Sequence, residues 1–117
     1  MLIIGCGHQS VERIIERTRM LFDEPIYAII GGLHYPVHGG RTYWGPLNIQ
    51  YIVGKDAPFW RGLDEASVSA AVEAIRKVNP SIVSLSPHDS SDWSLAEFKK
   101  AFKEKYVDLA AGKEIKI

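Results

Sequence analysis

The side chains best suited to chemistry in this sequence are its histidines, and three of the four stand in comparable places. His8 closes the run Ile3-Ile4-Gly5-Cys6-Gly7-His8, and His34 closes Ile29-Ile30-Gly31-Gly32-Leu33-His34. His88 follows Val83-Ser84-Leu85-Ser86-Pro87. Neutral imidazole is the commonest protein ligand for zinc and also suits iron, nickel and copper. If the three apolar runs are parallel strands, their C-terminal ends share one sheet edge, where open α/β sheets bind ligands. Three imidazoles delivered there could hold zinc or another divalent transition metal, or serve a catalytic centre. Each taken singly is more often a loop residue bonded to backbone; three of four in the same place are less easily dismissed. His38, in Pro36-Val37-His38-Gly39-Gly40, falls outside the pattern and reads as an ordinary loop histidine.

Two neighbours of these histidines can do chemistry of their own. Cys6 could bind a metal or act as a nucleophile, although a small buried residue filling a tight turn is the simpler expectation. Asp89, beside His88, could be a ligand, could orient one, or could mark entry into a helix; the cap residues that follow favour the last. The pairs Gly31-Gly32 and Gly39-Gly40 match neither a Rossmann nor a P-loop spacing. Trp44, Phe59 and Trp60 could line a pocket, pack in a core or face a partner.

The elements that must position these residues alternate. Leu2–Ile4 reads as a buried strand, and Ser10 stands where a cap should precede a helix from about Val11 to Phe22. Ile26–Ile30 reads as a second strand. Asp64 caps a helix whose buried stripe is Val68, Ala71, Val72 and Ile75, closed by Asn79-Pro80. Ser81–Leu85 is a third strand, and Ser91 or Asp92 opens a helix carrying Trp93, Leu95, Phe98 and Phe102. The tail, Tyr106–Leu109 and Glu114–Ile117, suggests one or two short edge strands. Between them, about 35–62, glycines, prolines and aromatics mix with only a weak apolar stretch at Ile49–Val53. So long a loop is usually functional or an interaction segment, expected here to lie over the sheet edge or dock on a partner. The alternation predicts an α/β domain with mostly parallel strands.

At 117 residues the chain is one domain, 1–117, long enough to bury a core without disulfides. Lys plus Arg and Asp plus Glu both number 14, so bulk charge gives no reason to expect nucleic acid or a membrane surface as partner. Met1–Ile4 is too short for a signal peptide, and no apolar run approaches the ~20 residues of a membrane helix. With one cysteine and therefore no internal disulfide, the expectation is a cytoplasmic protein. The first strand begins at Met1 without a lead-in, which suggests an abbreviated chain or a preceding part that lies elsewhere.

Gly5-Cys6-Gly7-His8, then Ile26–His34, then a strand ending at Pro87-His88, resemble the second half of metallo-β-lactamase-superfamily hydrolases. The pattern is most similar to the subgroup of the dihydropterin-ribofuranosyl-aminobenzene-phosphate synthases, which carry Gly-Cys-Ser-His, Gly-Gly-Phe-His and Pro-x-His segments in this order. The resemblance covers Leu2–His34 closely and Ser81–His88 moderately. It implies half of an αββα sandwich, a sheet with helices packed on one face. It also implies a dinuclear site between two sheets, with His8 a ligand of one metal, His88 of the other, and His34 near the bridging position. Two departures stand out. No His-x-His-x-Asp-His motif occurs, so four ligand positions are missing, and Asp89-Ser90-Ser91 stands where relatives have Cys-Thr-Gly.

The resemblance therefore implies a metal-dependent hydrolase of a small-molecule substrate, present as its C-terminal half. Such a chain needs a homo-oligomer partner or a separate N-terminal-half chain, and should expose an apolar sheet face. A second reading is a non-catalytic binding or assembly module that uses the aromatic 35–62 segment. A third is a single-metal site of His8, His34 and His88, active in the lone chain.

Overall fold

The computed structural model of the chain describes residues 1–39, 43–44, 47–48 and 62–116. Three parallel strands form the main sheet: β1 (Leu2–Ile4), β2 (Ala28–Gly31) and β5 (Ile82–Leu85), in the order β1-β2-β5. Leu2 pairs with Ile29 and Ile29 with Val83, so the strands end together. Two backbone bonds carry the ladder past those ends, Gly32 N–H to the Ile4 carbonyl at 3.0 Å and Ser86 N–H to the Gly31 carbonyl at 2.8 Å. The turns bearing the histidines thus leave from one edge, as the alternation predicts. A separate two-residue hairpin joins β3 (Tyr43–Trp44) and β4 (Leu47–Asn48).

Period-two alternation divides the sheet into two unlike faces. Leu2, Ile4, Ile29, Val83 and Leu85 point into the core, where they meet three helices. From α1 (Val11–Leu21) come Val11 and Ile15, and from α2 (Glu65–Val78) come Val68, Ala71, Val72 and Ile75. Phe98 and Phe102 come from α3 (Asp92–Phe102), with Trp93 and Leu95 partly buried beside them. The stripe expected on α2 is the one observed. All three helices lie on this face, so the expected one-sided α/β arrangement is correct. On the opposite face Ile3 is 76% exposed, and Ile30 and Ile82 are only partly covered.

Helix termini follow local chemistry. Asp64 Oδ1 accepts from the Ser67 N–H at 2.8 Å, and Ser91 Oγ accepts from Ser94 N–H at 3.2 Å. Asn79 ends α2 in the left-handed region, φ 46°, and Lys105 Nζ donates to its Oδ1 at 2.7 Å. Ser10 occupies the cap position of α1 but makes no cap bond with its side chain, contrary to expectation. Its N–H is drawn to the Gly7 carbonyl in the preceding turn, at 3.0 Å, and its φ is 67°.

Two further expectations need correction. The tail forms no strand among its described residues; it contributes one parallel bridge, Tyr106 to Val83, with Ser84 Oγ donating to the Val107 carbonyl at 2.6 Å. The long segment also does not begin as an excursion, because Leu33, Tyr35, Pro36 and Val37 are core residues. Trp44 lies in the hairpin, whereas Ile49–Val53, Phe59 and Trp60 fall outside the described residues. Among the described residues no helix is long and apolar enough to cross a membrane.

Candidate functional site

His8 and His34 meet at the strand ends. The turn after β1 carries His8 to the surface, and β2 delivers His34, 3% exposed, beneath it. Their ring centroids are 4.4 Å apart, with the planes inclined at 51°. Glycine makes this approach possible: Gly31 has φ 126°, and a Cβ on Gly32 would overlap the Gly5 carbonyl and the Asp89 carboxylate. His34 itself adopts φ 55°, a conformation few side-chain-bearing residues take.

Asp89 lies within the protein against the His34 backbone, 2% exposed. Its Oδ2 accepts the His34 backbone N–H at 3.2 Å, while its Oδ1 is buried and has no hydrogen-bond partner among the described residues. Burial pushes the Asp89 carboxyl above the usual carboxylate range. The His34 amide opposes that shift, as do positive charges on His88 and His8. Asp89 is thus not a residue of helix entry, which was the simplest reading of its sequence; Ser91 serves as the cap of α3.

The remaining candidates are placed differently. His88 is exposed on the loop after β5, where its N–H bonds Ser86 Oγ at 3.2 Å. Cys6 is exposed rather than buried in its turn, because the Gly5–Gly7 segment projects beyond the sheet edge. His38 takes no part: its Nε2 lies 2.7 Å from Glu65 Oε1 and its ring packs edge-on to Trp93, which ties the loop to α2 and α3.

Two imidazoles in ring contact are donors of the kind that zinc and other divalent transition metals take. Yet among the described residues no three His, Cys, Asp or Glu groups gather closely enough to hold an ion by themselves. The donors fit a divalent metal in kind but make up only part of a coordination shell.

Sequence reasoning read Ser91 as a candidate helix cap but missed that Ser90, Ser91 and Ser94, all buried, bond the backbone of Tyr35 and Val37 with their side chains. It also missed Tyr35, which is fully buried. The run Asp89-Ser90-Ser91 was visible, but only as a departure from a family pattern.

No family model matches this sequence, and no curated protein does. Among solved structures, the chain superposes on Tm1679, described as a metal-dependent hydrolase of the β-lactamase superfamily, with a TM-score of 0.67. The match covers 98% of this chain. The fold is part of a metallo-β-lactamase fold. Identity over the match is 19%, and the chain spans only 35% of Tm1679, about a third of its length. What the two share is the α/β layer with its parallel sheet and its helices.

Proposed function

We propose that the chain is the C-terminal half of a metal-dependent hydrolase of the metallo-β-lactamase superfamily, acting on a small molecule once a second half closes the site. The observation that carries this reading is the His8–His34 ring pair at the common end of the parallel strands, with the buried Asp89 carboxylate bonded to the His34 backbone. His8 and His34 offer imidazole nitrogens there, and His88 reaches the same edge from β5. A divalent cation, zinc or a similar metal, supplies Lewis acidity for hydrolysis at neutral pH when bound. The chain's own part is to present imidazoles and to keep His34 in place through Asp89. That the chain spans only 35% of Tm1679 supports a site completed by a second half, whether a second copy or a separate chain.

The test is a calorimetric zinc titration of the chelator-treated chain near neutral pH, repeated with His8→Ala, His34→Ala and His88→Ala. Binding that weakens at least about tenfold in the His8 and His34 variants is expected, since each removes a direct donor. Absence of binding, or binding indifferent to these residues, would sink the proposal. Hydrolysis of ester or phosphodiester substrates by the lone chain would remove the need for a second half.

A further inference from the structure

The loop after β2 leaves the sheet ladder at His34, and something else must satisfy its backbone. Five hydrogen bonds from one short stretch do so. Asp89 Oδ2 accepts from His34 N–H at 3.2 Å and Ser90 Oγ from Tyr35 N–H at 3.3 Å. Ser91 N–H donates to the Tyr35 carbonyl at 3.1 Å, its hydroxyl donates to the Val37 carbonyl, and the Ser94 hydroxyl donates to the Tyr35 carbonyl at 2.7 Å. All four of these side chains are 5% exposed or less. The three serines are neutral and suffice to hold Tyr35–Val37. Asp89 differs, because a buried carboxylate is a costly way to accept backbone amide hydrogens. Its Oδ1 gains no partner among the described residues, and Gly32 lacks the side chain that would displace it. The residue that this carboxylate holds is the one whose ring touches His8, in a strained left-handed conformation that persists only where its surroundings fix it.

We infer that Asp89 is the positioning residue of the histidine pair, holding the His34 ring against His8 by way of the His34 backbone, while Ser90, Ser91 and Ser94 anchor the rest of the loop. The inference rests on reading that pair as the metal-holding site, but the contact it explains exists without metal and can be measured without it.

The experiment is nuclear magnetic resonance on the metal-free chain, comparing wild type with Asp89→Ala, Asp89→Asn and Ser90→Ala. In the wild type a ring-to-ring Overhauser contact between His8 and His34 and slow exchange of the His34 amide are expected. Asp89→Ala loses both. Asp89→Asn, whose amide oxygen can accept the same N–H, keeps the ring contact, and Ser90→Ala keeps it too. Zinc affinity follows the same order, with a ten- to hundredfold loss for Asp89→Ala and a smaller one for Asp89→Asn. A ring contact that survives Asp89→Ala overturns the inference. So does a wild-type His34 amide that exchanges as fast as an open loop, a result available even if the alanine variant does not fold. Ring contacts that behave as expected in a chain that never binds zinc would leave Asp89 as the positioning residue and overturn the metal-site reading alone.

Discussion

Tyr35 is fully buried, its ring 5.7 Å from Phe98, and burial pushes its hydroxyl far above the usual tyrosine range. The Glu12 carboxylate adds to that shift, and the backbone of Val11 opposes it. Above the ordinary value of 10.0 the unfolded chain therefore loses a proton that the folded chain keeps. The folded state then binds more protons than the unfolded one, so stability present below that pH falls as pH rises, by about 1.4 kcal/mol per pH unit. Tyr35→Phe keeps the ring packing and removes this slope. Urea unfolding between about pH 9 and about pH 11 should show a steeper loss in the wild type than in the phenylalanine variant. Equal slopes would mean that Tyr35 ionises freely in the folded protein. In the sequence this tyrosine was one of several aromatics among glycines and prolines, with no periodicity to mark it as core. What buries it comes from Ser90, Ser91 and Ser94, more than 50 positions away, which bond its backbone. The three histidines, by contrast, were legible because each follows its strand at short range.

Among the elements, the helices separate two kinds of cap. Asp64 accepts from both the backbone N–H and the hydroxyl of Ser67, at 2.8 and 2.7 Å, so Asp64→Ala should cost about 1 kcal/mol. Ser91 caps α3 and also bonds the Val37 carbonyl, so Ser91→Ala should cost more, about 2 kcal/mol. Ser10 makes no cap bond, and Ser10→Ala should change stability by less than about 0.5 kcal/mol. Denaturant midpoints for the three variants check the order, and a Ser10 effect as large as that of Asp64 would contradict it. The caps of α2 and α3 were legible because residue type and the apolar stripe agree at Asp64–Ile75 and Ser91–Phe102. The cap of α1 misled because the Gly5–Gly7 turn, shaped by contacts with the end of β2, fixes the backbone before Ser10 can act. The tail misled in the same way. Its alternation suits a strand, yet Tyr106 makes only a single bridge to Val83 before the hydroxyl of Ser84 takes the Val107 carbonyl.

For the whole molecule, the sheet has one face covered by helices and one covered only in part, where Ala28 and Ser84 are buried but Ile3 is open. Three helices cover Leu2, Ile29, Val83 and Leu85, whereas no helix of the core packs on the side that carries Ile3, Ile30 and Ile82 among the described residues. Ile3 is 76% exposed and Met1 55%, although a β-branched residue within a strand normally gains from burial. Burying one isoleucine side chain stabilises by roughly 1.5–3 kcal/mol, so exposed isoleucines on one sheet face can drive association. Ile3→Lys places a charge on that face, at the edge strand β1. Because Ile3 makes little contact within the chain, the substitution should leave the melting temperature nearly unchanged. It should nevertheless weaken self-association, followed by sedimentation across a concentration series, or binding to a separate half where one is supplied. A wild-type chain that stays monomeric at high concentration and binds no second half would show that the open face is tolerated rather than used. The proposed hydrolase would then have to close its histidine site from the strand edge alone.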